Sequence, residues 1–240
     1  INIDTKIYEN LNRDNNDRYE FVLPKINLKK KLENRTALKG NFTLDSLGLL
    51  RNYNSNVYEK VNVNDLIFES FPTITKRGFY NNYEFLVKNA NSNTQNSKKY
   101  KDEEDLTISS LFQFNSSLPL IKDEGKYQKI FKPLMSIKVA PDYTKNNQGS
   151  EARIDTDNIY SLQRATSHNS VEGGMSIAYG SNYVFFDKIQ DREILDFSLA
   201  NNFRFNENDD LPQINQLGQK TSNFFSGIEF NPIENISTKY

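Results

Sequence analysis

The feature that most constrains this chain is alternation of apolar and polar residues with a period of two, the pattern of a β-strand with two different faces. It is strongest at residues 106–118 and 193–206, and at 171–180 larger apolar residues alternate with mostly small ones. Weaker alternation occurs in seven further segments: residues 1–8, 18–30, 36–46, 56–70, 78–88, 129–140 and 220–230. The sequence therefore predicts an all-β chain of about ten strands.

Strand length and loop length both favour a membrane barrel over a soluble sheet. Several predicted strands exceed the roughly 5–6 residues of soluble sheets and match the ~9–11 that a tilted strand needs to cross a bilayer. The connections at residues 89–105 and 141–157 are long and polar, whereas others leave room only for tight turns. Long loops on one side and short turns on the other are typical of outer-membrane barrels. We predict antiparallel up-and-down strands that form part of a large transmembrane β-barrel.

The polar sides of the two strongest strands are candidates for the lining of an aqueous lumen. A soluble sandwich also alternates, but these polar sides carry Ser, Asn and Asp with few Lys or Glu, which suits a crowded lumen. The predicted lining residues are Thr107, Ser109, Gln113, Asn115, Ser117, Asp196, Ser198, Asn202 and Arg204. Four aromatic residues near predicted strand ends suit an interfacial girdle: Tyr179, Tyr183, Phe185 and Phe186.

Composition argues against catalysis. The chain has no Cys and a single histidine, His168, which we interpret as a polar loop residue rather than a general base. Carboxylate pairs such as Asp209 with Asp210 lie in polar loops, where a solvated charge run explains them. We predict no catalytic residue, no metal site and no cofactor.

Net charge and hydropathy exclude two further classes. A formal net charge of -1 gives no field that would recruit nucleic acid. The longest apolar runs, such as residues 47–50, are far shorter than the roughly 20 residues of a membrane-spanning helix. A membrane interaction of this chain would therefore depend on strands.

The ends of the sequence suggest a piece of a longer protein. The chain starts at Ile1 without an initiator Met or a recognisable signal peptide, and it stops at Tyr240 inside the strand-like stretch NPIENISTKY. We expect residues 1–240 to be a partial β-barrel domain, truncated at both ends.

The segment DTDNIYSLQRATSHNSVEGGMSIAYGSNYVFFD, residues 155–187, resembles the barrel signature of the LptD family, also called organic solvent tolerance protein or OstA. In that signature an Asn-aromatic element precedes an Arg-containing turn, a Glu-Gly pair and a Tyr-Gly pair. The matching residues are Asp157, Asn158, Tyr160, Leu162, Arg164, Glu172, Gly173, Tyr179 and Gly180. Residues 165–170 depart from the family turn, which has Gly and an Asp-Arg pair.

Three other stretches resemble the family in the same order. Residues 131–146 are similar to the strand before the signature, with Pro133 entering it and Pro141 leaving it. Residues 18–30 resemble a recurrent strand ending in a Leu-Pro pair, and residues 217–240 a later hairpin.

The signature residues also have structural interpretations. Asp157 and Asn158 could cap a turn, and Arg164 with Glu172 could form a lumen ion pair. Three glycines, Gly173, Gly174 and Gly180, could relieve crowding in a curved strand.

The resemblance implies transport without covalent chemistry. Lipopolysaccharide would arrive on periplasmic bridge proteins and reach the outer leaflet of the outer membrane. Its sugars would cross the polar lumen while its acyl chains use a lateral opening between the first and last barrel strands. The implied partners are lipopolysaccharide, the bridge proteins and an LptE-type lipoprotein plug. Two alternatives stay open: another outer-membrane barrel, such as a porin or a siderophore receptor, and a soluble β-sandwich adhesin that binds glycans around a closed apolar core.

Overall fold

The computed structural model describes residues 1–9, 19–53, 56–97, 100, 102–142, 144, 145, 148, 153–164, 168–233 and 236–240. Within them the only helix is a 3₁₀ turn, Gln213–Asn215, so no described helix could cross a membrane. The strands are β1 (Asn2–Glu9), β2 (Tyr19–Leu32), β3 (Gly40–Tyr53), β4 (Val57–Ser70), β5 (Thr73–Ile74), β6 (Tyr80–Gln95), β7 (Asp105–Ser117), β8 (Leu120–Glu124), β9 (Tyr127–Ala140), β10 (Gly174–Asp187), β11 (Arg192–Arg204), β12 (Phe225–Ile233) and β13 (Ile236–Lys239).

These strands form one sheet in the order β1-β2-β3-β4-β6-β7-β9-β10-β11-β12-β13, while β5 pairs with β6 and β8 pairs with β9. The pairings with a described register are antiparallel. The predicted fold class, an all-β up-and-down arrangement consistent with part of a large barrel, is confirmed. The described residues hold thirteen strands rather than about ten because three short ones, β5, β8 and β13, add to the ten long strands.

Proline positions explain two breaks in the sheet. Phe71 and Pro72 separate β4 from β5, and Leu118 and Pro119 separate β7 from β8. Both short strands continue along the partner of the strand before them. Pro133, expected at the entrance of a strand, lies inside β9 instead. Its carbonyl accepts from the Leu118 amide at the β7–β8 break, and proline is tolerated at such an irregular position.

Several predicted boundaries were wrong. The segment predicted at 171–180 is β10, which starts at Gly174 and ends at Asp187, so Tyr179 lies inside a strand and not at its end. The predicted loop at 89–105 begins only after Gln95, because its Asn residues alternate with buried Ala90, Ser92 and Thr94 on β6. Leu23 and Pro24 lie inside β2 at a register shift and do not end the strand.

The chain divides into two compact units. Unit 1 comprises Ile1–Glu69, Phe85–Ser110 and His168–Ser170. On one face of its strands, Val61, Val63 and Ala90 are buried with Leu47, Leu49 and the loop residue Tyr100 packed against them. We call the face that loops cover in each unit its covered face, and the opposite one its open face. Lys88 on the covered face binds Asp65 at 2.7 Å and the His168 carbonyl at 2.9 Å.

Unit 2 comprises Ser70–Glu84, Leu111–Ser167 and Val171–Tyr240. Its covered face buries mostly polar side chains, among them Gln113, Ser136, Ser176, Asn202 and Arg204. Its open face exposes large apolar and aromatic side chains to between 37% and 44%, among them Met175, Tyr179, Phe197, Leu199 and Phe203. The unit is therefore the inverse of a soluble sheet, in which the apolar face is the buried one.

Candidate functional site

Residues 153–164, which we call the strap, lie across the covered face of unit 2. The strap starts with a tight turn between Asp155 and Asn158. The Asp155 carboxylate accepts from the Asn158 amide at 2.9 Å, and the Asn158 side chain accepts from the Asp155 amide at 3.1 Å. Reciprocal side-chain bonds of this kind close turns without a sheet partner. The capping role that the sequence suggested therefore belongs to Asn158, with Asp155 as its partner.

Apolar contacts hold the middle of the strap. Ile154 and Ile159 are buried together with Ala178 on β10, Ala200 on β11 and Leu217. Gly180 permits this approach, because a Cβ there would lie 2.5 Å from the Tyr160 hydroxyl and 2.1 Å from the Leu199 carbonyl oxygen. The sequence suggested that Gly180 relieves crowding, and in the structure it leaves space for the strap.

Glu172 is the centre of a buried ion cluster, which we define as Glu172, Arg164, Arg204 and Lys138. Arg164 donates to both carboxylate oxygens of Glu172, at 2.9 and 2.6 Å, and Arg204 donates at 2.8 Å. Lys138 lies 3.4 Å away. All four side chains are at most 3% exposed. The cluster joins the strap, through Arg164, to strands β9 and β11.

Backbone carbonyls satisfy the excess donors of this cluster. Lys138 donates to the carbonyls of Ser161 and Leu162 at 2.9 and 3.0 Å, and Arg164 donates to that of Ile159 at 2.9 Å. Arg164 also donates to Ser176 and Asn202. Three cations surround one carboxylate, so neutral oxygens are needed to offset the remaining charge. The strap supplies three of these carbonyls.

Electrostatics favour the ionised form of Glu172. Burial by itself would raise the pKa of this carboxyl group, but the charges of Arg164, Lys138 and Arg204 lower it further than burial raises it. The pKa of Glu172 therefore lies below its ordinary value. Burial raises the pKa of Tyr160 in the strap to about 12, so this hydroxyl stays protonated. Neither group is poised for proton transfer near neutral pH.

Backbone conformation and close contacts explain why the signature has glycine after Glu172. The amide of Gly173 donates to the Thr144 hydroxyl at 2.8 Å, and its carbonyl accepts from Arg204. Gly174 follows with a φ of 81°, in the region that favours glycine, and a Cβ there would lie 2.9 Å from Arg204. The two glycines therefore let the chain turn from Glu172 into β10 beside the arginine.

The structure brings most signature residues together and leaves one, Tyr179, outside. Tyr160, Leu162, Arg164, Glu172, Gly173 and Gly180 belong to the strap, the ion cluster or their contacts. Asp157 is exposed on the strap. Tyr179 lies on the open face, where its hydroxyl donates to Asn201 at 3.3 Å. Residues 165–167 of the departing turn lie outside the described residues, and the rest of that stretch, 168–170, includes an exposed His168.

The predicted lining residues form three groups. Asn202 and Arg204 contact the ion cluster, and Gln113 donates to the strap carbonyl of Tyr160 at 2.6 Å. Asp196 and Ser198 instead form a partly buried polar row with Asn182, whose amide donates to them at 2.5 and 2.9 Å. The others lie along β7, where Ser109 and Ser117 are buried and Thr107 and Asn115 partly buried.

Sequence analysis missed several important residues. Lys138 was assigned to a strand but not to the site, although a period of two places it with Ser136 on the polar side. Ile154, Ile159 and Asn182 carried no usable signal, because their partners are distant in sequence. In the part of the chain that the structure describes, no three His, Cys, Asp or Glu residues are grouped so as to hold a metal ion.

Comparison with known proteins supports the resemblance found in the signature. The search of curated proteins gave no match. A family model, described as LptD, LPS transport system D, matches residues 2–240. Because this match covers nearly the whole chain, the protein belongs to the LptD family.

Proposed function

We propose that this chain forms part of the wall of an outer-membrane passage that delivers lipopolysaccharide to the outer leaflet. One observation carries the proposal: β11 exposes Phe197, Leu199 and Phe203 on its open face while it buries Asn202 and Arg204 on its covered face. In a membrane barrel the apolar side of a strand contacts lipid and the polar side faces the lumen. Family membership supplies the transported molecule.

The polar row of Asn182, Asp196 and Ser198 is the proposed contact for the sugars of the transported molecule. These side chains are partly buried, so they are accessible beside the strap. Amides and hydroxyls exchange hydrogen bonds with sugar hydroxyls and with water at similar free energy, which favours passage over tight binding. The acyl chains would travel through a lateral opening between barrel strands. No step of this process requires covalent chemistry.

We propose the partners on the basis of the family. They are periplasmic bridge proteins that supply lipopolysaccharide and an LptE-type lipoprotein that plugs the barrel. A soluble adhesin is a poorer proposal, because it would bury the Phe and Leu side chains that unit 2 exposes. A porin or receptor would not account for the match to the LptD family.

Adjacent lysine substitutions on β11 test the proposal. Leu199→Lys places a charge on the open face, where lysine in lipid costs up to about 2–4 kcal/mol. Ser198→Lys places the same charge on the covered face, in the polar row. We expect Leu199→Lys to prevent assembly into the outer membrane, as measured by protein recovered in that membrane. Ser198→Lys should assemble and slow the appearance of lipopolysaccharide at the cell surface, because the ammonium retains its phosphates.

Two results would contradict the proposal. Normal assembly of Leu199→Lys would show that this face does not contact lipid. Unchanged surface lipopolysaccharide in an assembled Ser198→Lys variant would show that the polar row is not on the path.

A further inference from the structure

Three lysines and two aromatic residues lie together on the open face of unit 2, where β8 and β10 end and β9 begins. Lys126 lies 5.0 Å from the centre of the Tyr127 ring, and Lys129 lies 6.0 Å from that of Phe185. The centroids of the two rings are 5.0 Å apart. Lys122 on β8 pairs with Lys129 in the register of the sheet, so it belongs to the same face. We call Lys122, Lys126, Tyr127, Lys129 and Phe185 the cationic patch.

The position of the patch along β9 corresponds to the depth of lipid headgroups. From Phe131 to Val139 every second residue of β9 is apolar and lies on the face that also carries Tyr179. That length is close to the ~9–11 residues with which a tilted strand crosses the hydrocarbon core. Lys129 and Tyr127 are the next two residues of this face, so they lie just beyond the apolar band.

The connections at this end of unit 2 are the short ones. Gly125 and Lys126 join β8 to β9, and residues 188–191 join β10 to β11. Residues 141–173 and 205–224 make the long connections at the opposite ends of the same strands. Outer-membrane barrels have short turns on the periplasmic side and long loops outside the cell. The patch therefore corresponds to the periplasmic leaflet, on the side away from the outer leaflet.

The three ammonium groups of the patch have only two carboxylates within ion-pair distance in the described part of the chain. Glu124 lies 2.7 Å from Lys122 and 2.7 Å from Lys129, so one carboxylate serves two lysines. Lys126 is 3.4 Å from Asp187, whose carboxylate is 3% exposed and already accepts from two turn amides. The lysine side chains are between 36% and 74% exposed, and each ammonium has three donors. Donors therefore remain for a further anion.

The phosphate diester of a lipid with net negative charge fits this surface. Exposed ion pairs contribute little to stability, so phosphate oxygens can share the lysines with Glu124. The aromatic rings suit the headgroup region of a bilayer. Next to the patch, Leu120 and Phe131 form a register pair and are 50% and 43% exposed, which provides an apolar surface for acyl chains. A zwitterionic headgroup fits less well, because its own cation would be repelled by the lysines.

We propose that the cationic patch binds the headgroup of an anionic phospholipid in the periplasmic leaflet, with the acyl chains along Leu120 and Phe131. This inference rests on the proposed function, which places the open face in lipid. The site differs from the transport path, because it lies on the opposite side of the sheet from the polar row. A phospholipid bound there would hold the ends of β8, β9 and β10 at a fixed depth in the membrane.

Photolabelling of the whole protein in reconstituted bilayers tests the site. Bilayers of phosphatidylcholine receive a trace of phosphatidylglycerol or phosphatidylcholine with a photoreactive group beside the phosphate, and mass spectrometry identifies the labelled peptides. We expect the glycerol lipid to label residues 120–131 and 183–187 more strongly than the choline lipid does. A third probe, with the photoreactive group in its acyl chain, should label Phe197 and Leu199 on β11 and reports whether the open face contacts lipid.

Three substitutions measure the contribution of charge. A lysine beside an anionic membrane contributes about 1 kcal/mol, so Lys126→Gln should reduce labelling by phosphatidylglycerol about fivefold. Glu124→Gln should increase the labelling, because it frees both lysines that this carboxylate binds, whereas a purely structural ion network predicts no gain. Lys188→Gln is the matched control, because this turn lysine binds Asp123 at 2.6 Å on the other side of the sheet, and it should leave the labelling unchanged.

The outcomes separate the two proposals. Acyl-chain labelling of Phe197 and Leu199 without selective headgroup labelling of the patch would overturn the inference and leave the proposed function standing. An unchanged yield in Lys126→Gln, a lower yield in Glu124→Gln, or displacement of the label by added lipopolysaccharide would also overturn the inference. Absence of acyl-chain label on β11 would overturn the proposed function itself.

Discussion

At the scale of single residues, Glu172 joins more parts of unit 2 than any other described side chain of the ion cluster. It is the buried carboxylate that all three cations of the cluster contact, and it joins the strap to β9 and β11. Removal of one partner from a buried ion pair leaves uncompensated charge, which costs more than the pair contributes. The stability of the strap should therefore depend on this one carboxylate.

Glu172→Gln tests that dependence with little change of volume. The amide cannot neutralise Arg164, Arg204 and Lys138, so we expect a loss of about 3–5 kcal/mol in the free energy of unfolding. The loss would appear as a lower melting temperature, measured by the heat-dependent mobility of the folded protein in detergent gels. Glu193→Gln, at an exposed position of β11, is the control and should melt like the wild type. Equal melting of both variants would contradict a central role for Glu172.

The same carboxylate predicts a dependence on pH. The pKa of Glu172 in the folded protein lies below its ordinary value of 4.5 because three cations outweigh burial. Its contribution to stability is therefore fully present above pH 4.5 and is lost as the pH falls through the lower folded pKa. We expect the melting temperature to fall on acidification below pH 4.5, and Glu172→Gln to flatten that decrease. Parallel acid profiles would refute this assignment.

At the scale of elements, the strap needs both a polar and an apolar anchor. The ion cluster fixes the end of the strap at Arg164, and Ile154 with Ile159 fix the middle against β10 and β11. The close approach at Gly180 belongs to the second anchor. A methyl group added beneath the strap should therefore displace it, even when every charge of the ion cluster is kept.

Gly180→Ala should displace the strap. The added Cβ would meet the Leu199 carbonyl oxygen at 2.1 Å and the Tyr160 hydroxyl at 2.5 Å, so strand or strap must move. Overpacking of this kind typically costs about 1–3 kcal/mol. Limited proteolysis should cut the strap faster in this variant. Gly48→Ala in β3, where the nearest atom is 3.9 Å away, should behave like the wild type. Unchanged proteolysis of Gly180→Ala would argue against tight docking.

The sequence predicted the strands more completely than it predicted the candidate site. A period of two identified the ten long strands and put Gln113, Ser198, Asn202 and Arg204 on the covered face. The same pattern failed at residues 89–95, because asparagines that hydrogen-bond to each other within a strand look like a loop. The ion cluster combines Lys138 of β9, Arg164 of the strap, Glu172 before β10 and Arg204 of β11, and no local pattern encodes contacts between four such separate segments. Only the position of Lys138 in the two-residue alternation of β9 could have assigned it to the covered face.

At the scale of the whole molecule, the separation of lipid-facing and polar residues depends on strand parity. A slip of one residue exchanges the two faces of a strand. Inserting one residue between Ser198 and Leu199 would turn Asn202 and Arg204 to the open face and Phe203 to the covered one. We expect this variant to fail in outer-membrane assembly, measured as loss of folded protein from that membrane. A one-residue insertion within the turn at 188–191 changes no strand parity and should assemble, because turns tolerate added length. If both insertions assembled equally well, parity would not be what sorts these side chains between lipid and lumen.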